Sequence, residues 1–343
     1  MIVSFCIFAY NEEKYLPKLL KQVRNQDYPS EKIELLLIDS ASTDSTKEIM
    51  LEFARKNKKY FKNIRVFNNP KKIQSCAWNI AIKTFSGDAL VHVDAHAEIP
   101  GDFVSKNVEA LESGEDACGG PRPNISDEKT DWKDTLLLAE RSMFGSGIAP
   151  YRRGARRVKE VASLFHGIYR REIFDKVGLF NEKLIRTEDN EMNYRIRRAG
   201  YKLKYHEDIR SFEHIRPDLL KMMKQKFGNG YWVALTKGVE PDCISWFHMV
   251  PAVFTSSLLA CIGFYKLTDG CEFSRKLLKT LCGSYGTAAV LMSAAASLSG
   301  KNERNITNVF LPLVFFLLHT SYGLGSLCGF LRLPSFKKSY YEN

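Results

Sequence analysis

Ala89-Leu90-Val91-His92-Val93-Asp94-Ala95-His96 is a short apolar run that ends in two residues with metal-binding chemistry. Its length and apolar content predict a buried strand. Asp94 and His96 lie two residues apart, so on extended backbone their side chains share one side. They can then face one ion, and that ion can bridge to a diphosphate. Alone, the same pattern describes a strand end with two solvated polar residues. The neighbouring segments favour the first reading. Ile2 to Phe8, Ile33 to Ile38 and Ile64 to Phe67 are further strand-length apolar runs. Helical patterns separate them: Tyr15, Leu16, Leu19, Leu20 and Val23 mark one face, Ile49, Met50 and Phe53 another within Thr46 to Asn57, and Ser75 to Thr84 forms a third helix. This βαβαβαβ order predicts an α/β fold with a mostly parallel sheet and helices on both faces. Ligands of such sheets bind beyond the C-terminal strand ends, where Asp39 and Asp94 both fall.

The chain has 343 residues, longer than one typical domain, and 50 Lys and Arg against 39 Asp and Glu give a net charge of +11. Nucleic acid, anionic lipid and phosphorylated substrates are all counterparts of such a charge. No zinc-finger spacing or RNA-binding aromatic motif is present, and the apolar final third turns the charge toward a membrane rather than a nucleic acid. The eight Cys are scattered without a CxxC pair and read as small buried hydrophobes in a reducing compartment. Met1 to Phe8 lacks a basic leader and a small-residue cleavage site, so it reads as a first strand rather than a signal peptide.

Beyond Pro100 the alternation loosens. Gly145 to Arg157 is loop-like and basic, with Arg152, Arg153, Arg156 and Arg157, either a solvated loop or a phosphate-binding lid. Thr187-Glu188-Asp189-Asn190 opens a helix, with Thr187 suited to the N-cap and acids in the first turn. Arg216-Pro217-Asp218 opens another, in which Lys221, Lys224 and Lys226 intersperse Leu219, Leu220, Met223 and Phe227. Residues 216–243 are read as an amphipathic, membrane-surface helix and linker. Three apolar spans follow within 244–343, about Ile244 to Tyr265, Leu277 to Leu298 and Val309 to Leu331. Each approaches the ~20 residues that cross a bilayer, and Gly283, Gly286 and Ala288 are expected to allow close helix packing. Three spans place the chain ends on opposite sides of a bilayer, whereas Arg332, Lys337 and Lys338 favour the cytoplasmic side for the tail.

Four stretches in order now resemble family 2 glycosyltransferases, which have the GT-A, Rossmann-like fold. Ala9-Tyr10-Asn11-Glu12 is similar to that family's first nucleotide-contacting loop, and Asp39-Ser40-Ala41-Ser42-Thr43-Asp44-Ser45-Thr46 to its second-strand signature. Gly87-Asp88 followed by Val93-Asp94-Ala95-His96 resembles the lead-in and metal motif, and Thr187-Glu188-Asp189 with its helix resembles the acceptor-site motif. The resemblance covers residues 1–215. His96, the Glu-Asp-Asn-Glu helix and the apolar C-terminus together resemble the glucosyltransferases of succinoglycan-type exopolysaccharide synthesis.

The resemblance implies an inverting transferase that moves a hexose, glucose from UDP-glucose, onto a lipid-linked or growing exopolysaccharide acceptor. Ala9, Tyr10, Asn11, Glu12, Asp39, Ser42, Asp44 and Asp94 would bind the nucleotide-sugar, with Asp39 accepting the imide N–H of uracil. A divalent ion on Asp94 and His96 would neutralise the leaving diphosphate. His96 stands where the family's Asp-x-Asp pattern ends in Asp, and imidazole favours Mn²⁺ over Mg²⁺. Its protonation below about pH 6.5 would weaken the metal. Asp189 is the candidate general base, kept ionised by the helix dipole, with Glu188 beside it. The four arginines would close on phosphate, and His166 is a candidate acceptor contact. The implied setting is the plasma membrane, multi-pass, with a cytoplasmic catalytic domain and other polysaccharide-biosynthesis proteins as partners. Gln225 and Trp232 lack the Gln-x-x-Arg-Trp spacing of processive synthases. Two alternatives remain, a polyprenyl-phosphate glycosyltransferase and a non-catalytic nucleotide-sugar-binding membrane scaffold.

Overall fold

The computed structural model describes residues 1–126, 129–145, 159–214, 218–299 and 305–342. The chain divides into two compact units, Met1–Pro123 with Pro150–His214, and Asn124–Ala149 with Ile215–Asn343. The α/β portion is therefore not one uninterrupted stretch to residue 215. Asn124–Ala149 groups with the C-terminal residues instead.

In the first unit, β1 (Val3–Ala9) and β2 (Ile33–Asp39) are buried along their whole length. Strands buried at every position suit a sheet covered on both faces. They pair in parallel with each other, β2 with β3 (Asn63–Asn68), and β1 with β4 (Ala89–Asp94). The connections are α1 (Leu16–Arg24), α2 (Thr46–Asn57) and α3 (Gln74–Thr84). A short strand β5 (Ala97–Glu98) and α4 (Phe103–Glu112) follow, then β6 (Ala117–Gly119). Strand Ile168–Arg170 runs antiparallel between β4 and β6, and strand Leu203–Tyr205 lies parallel to β6. Strand Phe212–His214 makes a separate antiparallel pair with β5.

Alternation along the strands sorts the core into two layers. Val3, Phe5 and Ile7, with Leu35, Leu37, Val91 and Val93, face α1 and α4. Cys6 and Phe8, with Leu36, Ile38 and Leu90, face α3 and the helix Glu188–Arg198, through Trp78, Met192 and Ile196. Burying each such large side chain contributes about 1.5–3 kcal/mol. The same parity turns His92 and Asp94 toward the second layer, where the Glu188 helix lies.

The second unit is helical: α5 (Asp131–Arg141), then helices Leu219–Val239, Val250–Leu267, Glu272–Ser299 and Leu311–Glu342. Among the described residues, three stretches are long and apolar enough to cross a membrane: Trp246–Leu267, Glu272–Leu298 and Ile306–Glu342. Leu219–Val239 packs along Leu311–Glu342 at backbone range, because glycines line the contact. A Cβ on Gly325 would stand 2.0 Å from the Phe227 carbonyl oxygen, and one on Gly230 2.0 Å from that of Tyr322. Gly283 and Gly286 do not have the packing role expected of them, since among the described residues nothing lies within 4 Å of either Cβ position. Their helix is held through larger groups, Tyr285 stacking on Phe254 at 4.3 Å between ring centroids. Leu219–Val239 also departs from a simple surface helix. Lys221 and Lys224 are exposed, but Lys226 is buried in an ion pair with Glu140 at 2.9 Å.

Replacing Gly325 with Val drives a side chain into the Phe227 backbone, an overpacking that costs at least about 1–3 kcal/mol. Gly283→Ala gains helix propensity on an open face. Thermal unfolding in detergent should give a clearly lower Tm for Gly325→Val and an equal or higher Tm for Gly283→Ala.

Candidate active site

At the C-terminal end of the sheet, the loops after β1 and β2 are laced together. The Asn11 N–H donates to Ser42 Oγ at 3.0 Å, and Asn11 Oδ1 accepts from the Thr43 N–H at 2.8 Å. The Glu12 N–H donates to Thr46 Oγ1 at 2.7 Å, and the Ser45 N–H to Glu13 Oε2 at 3.0 Å. Asp44 accepts from the Glu13 and Thr46 N–H groups at 3.2 and 3.0 Å. Desolvation works to raise the Asp44 carboxyl, but the Thr46 and Glu13 bonds outweigh it and lower it. Asp39 is buried and accepts from the Ser42 N–H at 3.1 Å. Asn11 and Ala41 both sit in the left-handed region, at φ 56° and 55°, conformations that persist where surrounding contacts enforce them. Ala9, Asn11, Glu12, Asp39, Ser42 and Asp44 thus share one rim, with Tyr10 exposed beside them.

Asp94 ends β4 between two histidines, neither of them His96. Its Oδ1 lies 3.6 Å from His92 Nε2 and its Oδ2 3.5 Å from His166 Nε2. Its backbone N–H donates to His166 Nε2 at 3.2 Å. His92 is buried, stacked on Phe8 at 4.1 Å, and its Nε2 finds no hydrogen-bond partner among the described residues. Burial, against the pull of Asp94, lowers His92 to about 4, so it is neutral at physiological pH. Burial works to raise the Asp94 carboxyl, but the His166 contact and the His92 and His96 rings outweigh it and hold it well below the usual range. A carboxylate whose oxygens meet the described residues at 3.5 and 3.6 Å suits a divalent cation.

His96 is engaged on both ring nitrogens. Nδ1 lies 2.9 Å from Glu12 Oε1, and Nε2 3.5 Å from Glu213 Oε1. Glu213 is also ion-paired with the buried Arg122, whose guanidinium stacks on Phe165 at 3.6 Å. Among the described residues no three His, Cys, Asp or Glu side chains are gathered as a ready-made metal cluster. With both His96 nitrogens on carboxylates, an ion on Asp94 would take its remaining ligands from a diphosphate rather than a closed protein cage, and His96 could join it only by turning away from Glu12 or Glu213.

Glu188 and Asp189 begin the helix Glu188–Arg198. Thr187 occupies the N-cap but makes no side-chain cap bond. The Asp189 carboxyl is raised, first by burial, against hydrogen bonding from the Asn190 N–H and the charge of Arg122, with Asp94 adding to the rise. Burial thus opposes the helix dipole at Asp189. Glu188 is raised further, by burial and then by Asp189, and its Oε2 has no hydrogen-bond partner among the described residues. The pair therefore carries a proton far more readily than exposed carboxyls do. The Asp94 charge adds to the rise of both, and the Asp94 side chain lies in the layer against which their helix packs.

His166 is buried, with Nδ1 2.9 Å from Ser211 Oγ and Nε2 on Asp94, an environment for holding Asp94 rather than touching an acceptor. Arg152, Arg153, Arg156 and Arg157 lie outside the described residues. Arg195 is committed to its own scaffold, through Glu191 and the Leu179 carbonyl oxygen at 2.8 Å. Sequence reasoning missed His92, Arg122 and Glu213. The period-2 rule could have found His92, two residues before Asp94. Arg122 and Glu213 carry no such local signal, since they meet only through tertiary packing.

A mostly parallel α/β sheet with carboxylates gathered at its strand ends is the arrangement of GT-A nucleotide-sugar transferases. The model of glycosyl transferase family 2 matches residues 4–178, and the chain belongs to that family and is a glycosyltransferase. It is similar to succinoglycan biosynthesis protein ExoA of Rhizobium meliloti (strain 1021), 29% identical over 234 residues, covering 67% of each chain. It is also similar to the dolichyl N-acetyl-alpha-D-glucosaminyl phosphate 3-beta-D-2,3-diacetamido-2,3-dideoxy-beta-D-glucuronosyltransferase of Methanococcus voltae, 29% identical over 235 residues, 66% of this chain and 71% of the relative. In fold it resembles mannosyltransferase PcManGT from Pyrobaculum calidifontis, solved with GDP-Man and Mn2+, at a TM-score of 0.57 and 17% identity, covering 94% of this chain and 86% of that one.

Raised carboxyls weaken the fold as pH rises through their folded values, because the unfolded chain then releases protons more easily. Gln mimics protonated Glu188. Glu188→Gln should raise Tm at pH 8 and leave it nearly unchanged at pH 4, as read by thermal unfolding at the two pH values.

Proposed function

We propose that this enzyme transfers a hexose, with inversion, from a UDP-sugar to a lipid-linked or growing exopolysaccharide acceptor. The observation that supports the reading is that Asp94 ends β4 beside β1 and β2, with its side chain in the layer that also packs the helix opened by Glu188 and Asp189. Asp94 is the diphosphate-side group, and a divalent ion bound there with His96 would supply Lewis-acid stabilisation of the leaving group. Imidazole in the donor set favours Mn²⁺ over Mg²⁺. Asp39 and the loop Ala9 to Glu12, with Ser42 and Asp44, hold the nucleotide. Glucose is the proposed donor sugar.

Asp189 takes the proton of the acceptor hydroxyl. Its raised carboxyl suits a base better than an ordinary Asp, since proton affinity closer to the working pH strengthens the proton transfer. With Glu188 beside it and also raised by burial, the pair would share one proton and retain one charge for this step. A base on the face opposite the diphosphate gives a single displacement. The relative named for a dolichyl-linked phosphate sugar supports a lipid-linked acceptor, and the three apolar helices suit an enzyme held at a membrane. The proposed orientation has the catalytic unit in the cytoplasm, the side on which sugar nucleotides are made.

A second reading, transfer to a polyprenyl phosphate itself, is supported by similarity to the undecaprenyl-phosphate 4-deoxy-4-formamido-L-arabinose transferase of Salmonella choleraesuis, 29% identical over 161 residues. A phosphate acceptor needs little base catalysis, so one variant separates the two. With a hydroxyl acceptor, Asp189→Asn should cut kcat by roughly 10²–10⁴-fold with little change in donor KM. With a phosphate acceptor it should retain most activity. A radiolabelled donor screen on purified membranes, with and without EDTA, reports donor identity and metal dependence. NMR of the product's anomeric proton reports inversion.

A further inference from the structure

His166 has an unusual combination of properties. It is a non-glycine residue in the left-handed region, at φ 48°, and it is buried. L-residues avoid that conformation unless neighbouring contacts enforce it. The enforcement is visible in the next residue. A Cβ on Gly167 would stand 3.1 Å from the Cys118 carbonyl oxygen, and one on Gly119 3.3 Å from Gly167 Cα. The turn is thus pressed onto β6 by two glycines that permit backbone contact.

The result of that turn is an aimed imidazole. Nε2 accepts the Asp94 backbone N–H at 3.2 Å, so the ring proton belongs on Nδ1, which donates to Ser211 Oγ at 2.9 Å. Ser211 is itself buried, and its N–H donates to the Pro121 carbonyl oxygen at 3.0 Å. A continuous chain of hydrogen bonds therefore runs from the backbone at Pro121, through Ser211 and His166, to the backbone of Asp94. The neighbouring Phe165 ring lies 4.7 Å from it, tilted by 53°.

We propose that His166 is a positioning residue, which fixes the last residue of β4 so that the Asp94 carboxylate is presented to the metal–diphosphate group of the donor. The proposal rests on the assignment of Asp94 to that group. Asp94 is the terminal residue of its strand, and its register partner is Phe8. Strand ends fray unless their N–H groups find partners, and His166 supplies that partner. Groups that orient a ligating side chain typically change metal affinity by roughly 10–100-fold when removed.

The test uses the full chain in detergent, with His166→Ala, His166→Asn, Ser211→Ala and Asp94→Asn. Asn tolerates the left-handed region and offers an amide oxygen to the Asp94 N–H. Hydrogen exchange of the unliganded protein, read by mass spectrometry at Asp94, should speed up in His166→Ala and return toward wild type in His166→Asn. Mn²⁺ binding in the presence of UDP, followed by electron paramagnetic resonance, should weaken roughly 10–100-fold in His166→Ala, less in Ser211→Ala, and recover in the Asn variant. Unchanged exchange at Asp94 in His166→Ala overturns the proposal. So does Mn²⁺·UDP affinity that falls in Asp94→Asn but not in His166→Ala. Faster exchange in His166→Ala together with wild-type Mn²⁺·UDP binding by Asp94→Asn would sustain the positioning of Asp94 and remove the metal assignment instead.

Discussion

In β1, Ala9 pairs with Asp39 on one side while Phe8 pairs with Asp94 on the other. Because all three strands run in parallel, their ends coincide at one edge. Every group in the candidate site depends on that register. A slip of one residue would reverse the parity of β4 and turn Asp94 from the layer of Trp78 and Met192 into the layer of α1 and α4. The register is held by apolar side chains on both faces, which leave no polar face for an alternative pairing. The sheet core and the chemistry are therefore one constraint. The hydrogen-bonded loops after β1 and β2 extend the same registration past the strand ends.

The site this edge assembles is acidic, although the chain carries a net charge of +11. Glu12, Asp39, Asp94, Glu188, Asp189 and Glu213 all lie on it, and Arg122 is buried among them. Charges of one sign in a partly desolvated space are tolerated in two ways. One is protonation, seen in the raised carboxyls of Glu188 and Asp189. The other is a counter-ion. Asp94 does not take the first route, since its carboxyl is held well below the usual range. In the proposed reaction a cation would offset the repulsion between the Asp94 carboxylate and a diphosphate, and Asp189 would accept the proton.

The fold was legible because period and length carry it. β1 to β4 and their helices are apolar runs of strand length alternating with 3.6-residue patterns, and three long apolar runs emerge as the helices suited to a bilayer. The loop residues that meet the rim were legible as ordered motifs. What was not legible depends on contacts distant in sequence. His166 meets Asp94 across 72 residues, and Arg122 meets Glu213 from the end of another strand. The rise of the Asp189 carboxyl was not legible, because a first-turn position says dipole, whereas burial is set by what packs around it. Small residues in the apolar helices were misassigned for the same reason. A glycine marks close packing only on the face that meets a neighbour, which Gly325 and Gly230 occupy and Gly283 does not.

The Lys226–Glu140 pair shows how the helical unit resolves a similar conflict. An isolated ion in apolar surroundings costs several kcal/mol, and a basic helix on its own would turn Lys226 outward with Lys221 and Lys224. Instead Lys226 points inward, among Met222, Leu136 and Ala139, to a carboxylate on α5. That carboxylate comes from Asn124–Ala149, the segment that leaves the α/β unit's sequence and joins the helices. Losing either partner would strand the other, at about 3–5 kcal/mol for a buried pair, so the pair penalises any packing in which α5 is elsewhere. Apolar contacts alone would let α5 slide along its neighbours with little loss. The ion pair, with Thr135 hydrogen-bonded to Asn308 at 2.9 Å, fixes one register. The helical unit thus uses polar contacts for specificity and apolar contacts for adhesion.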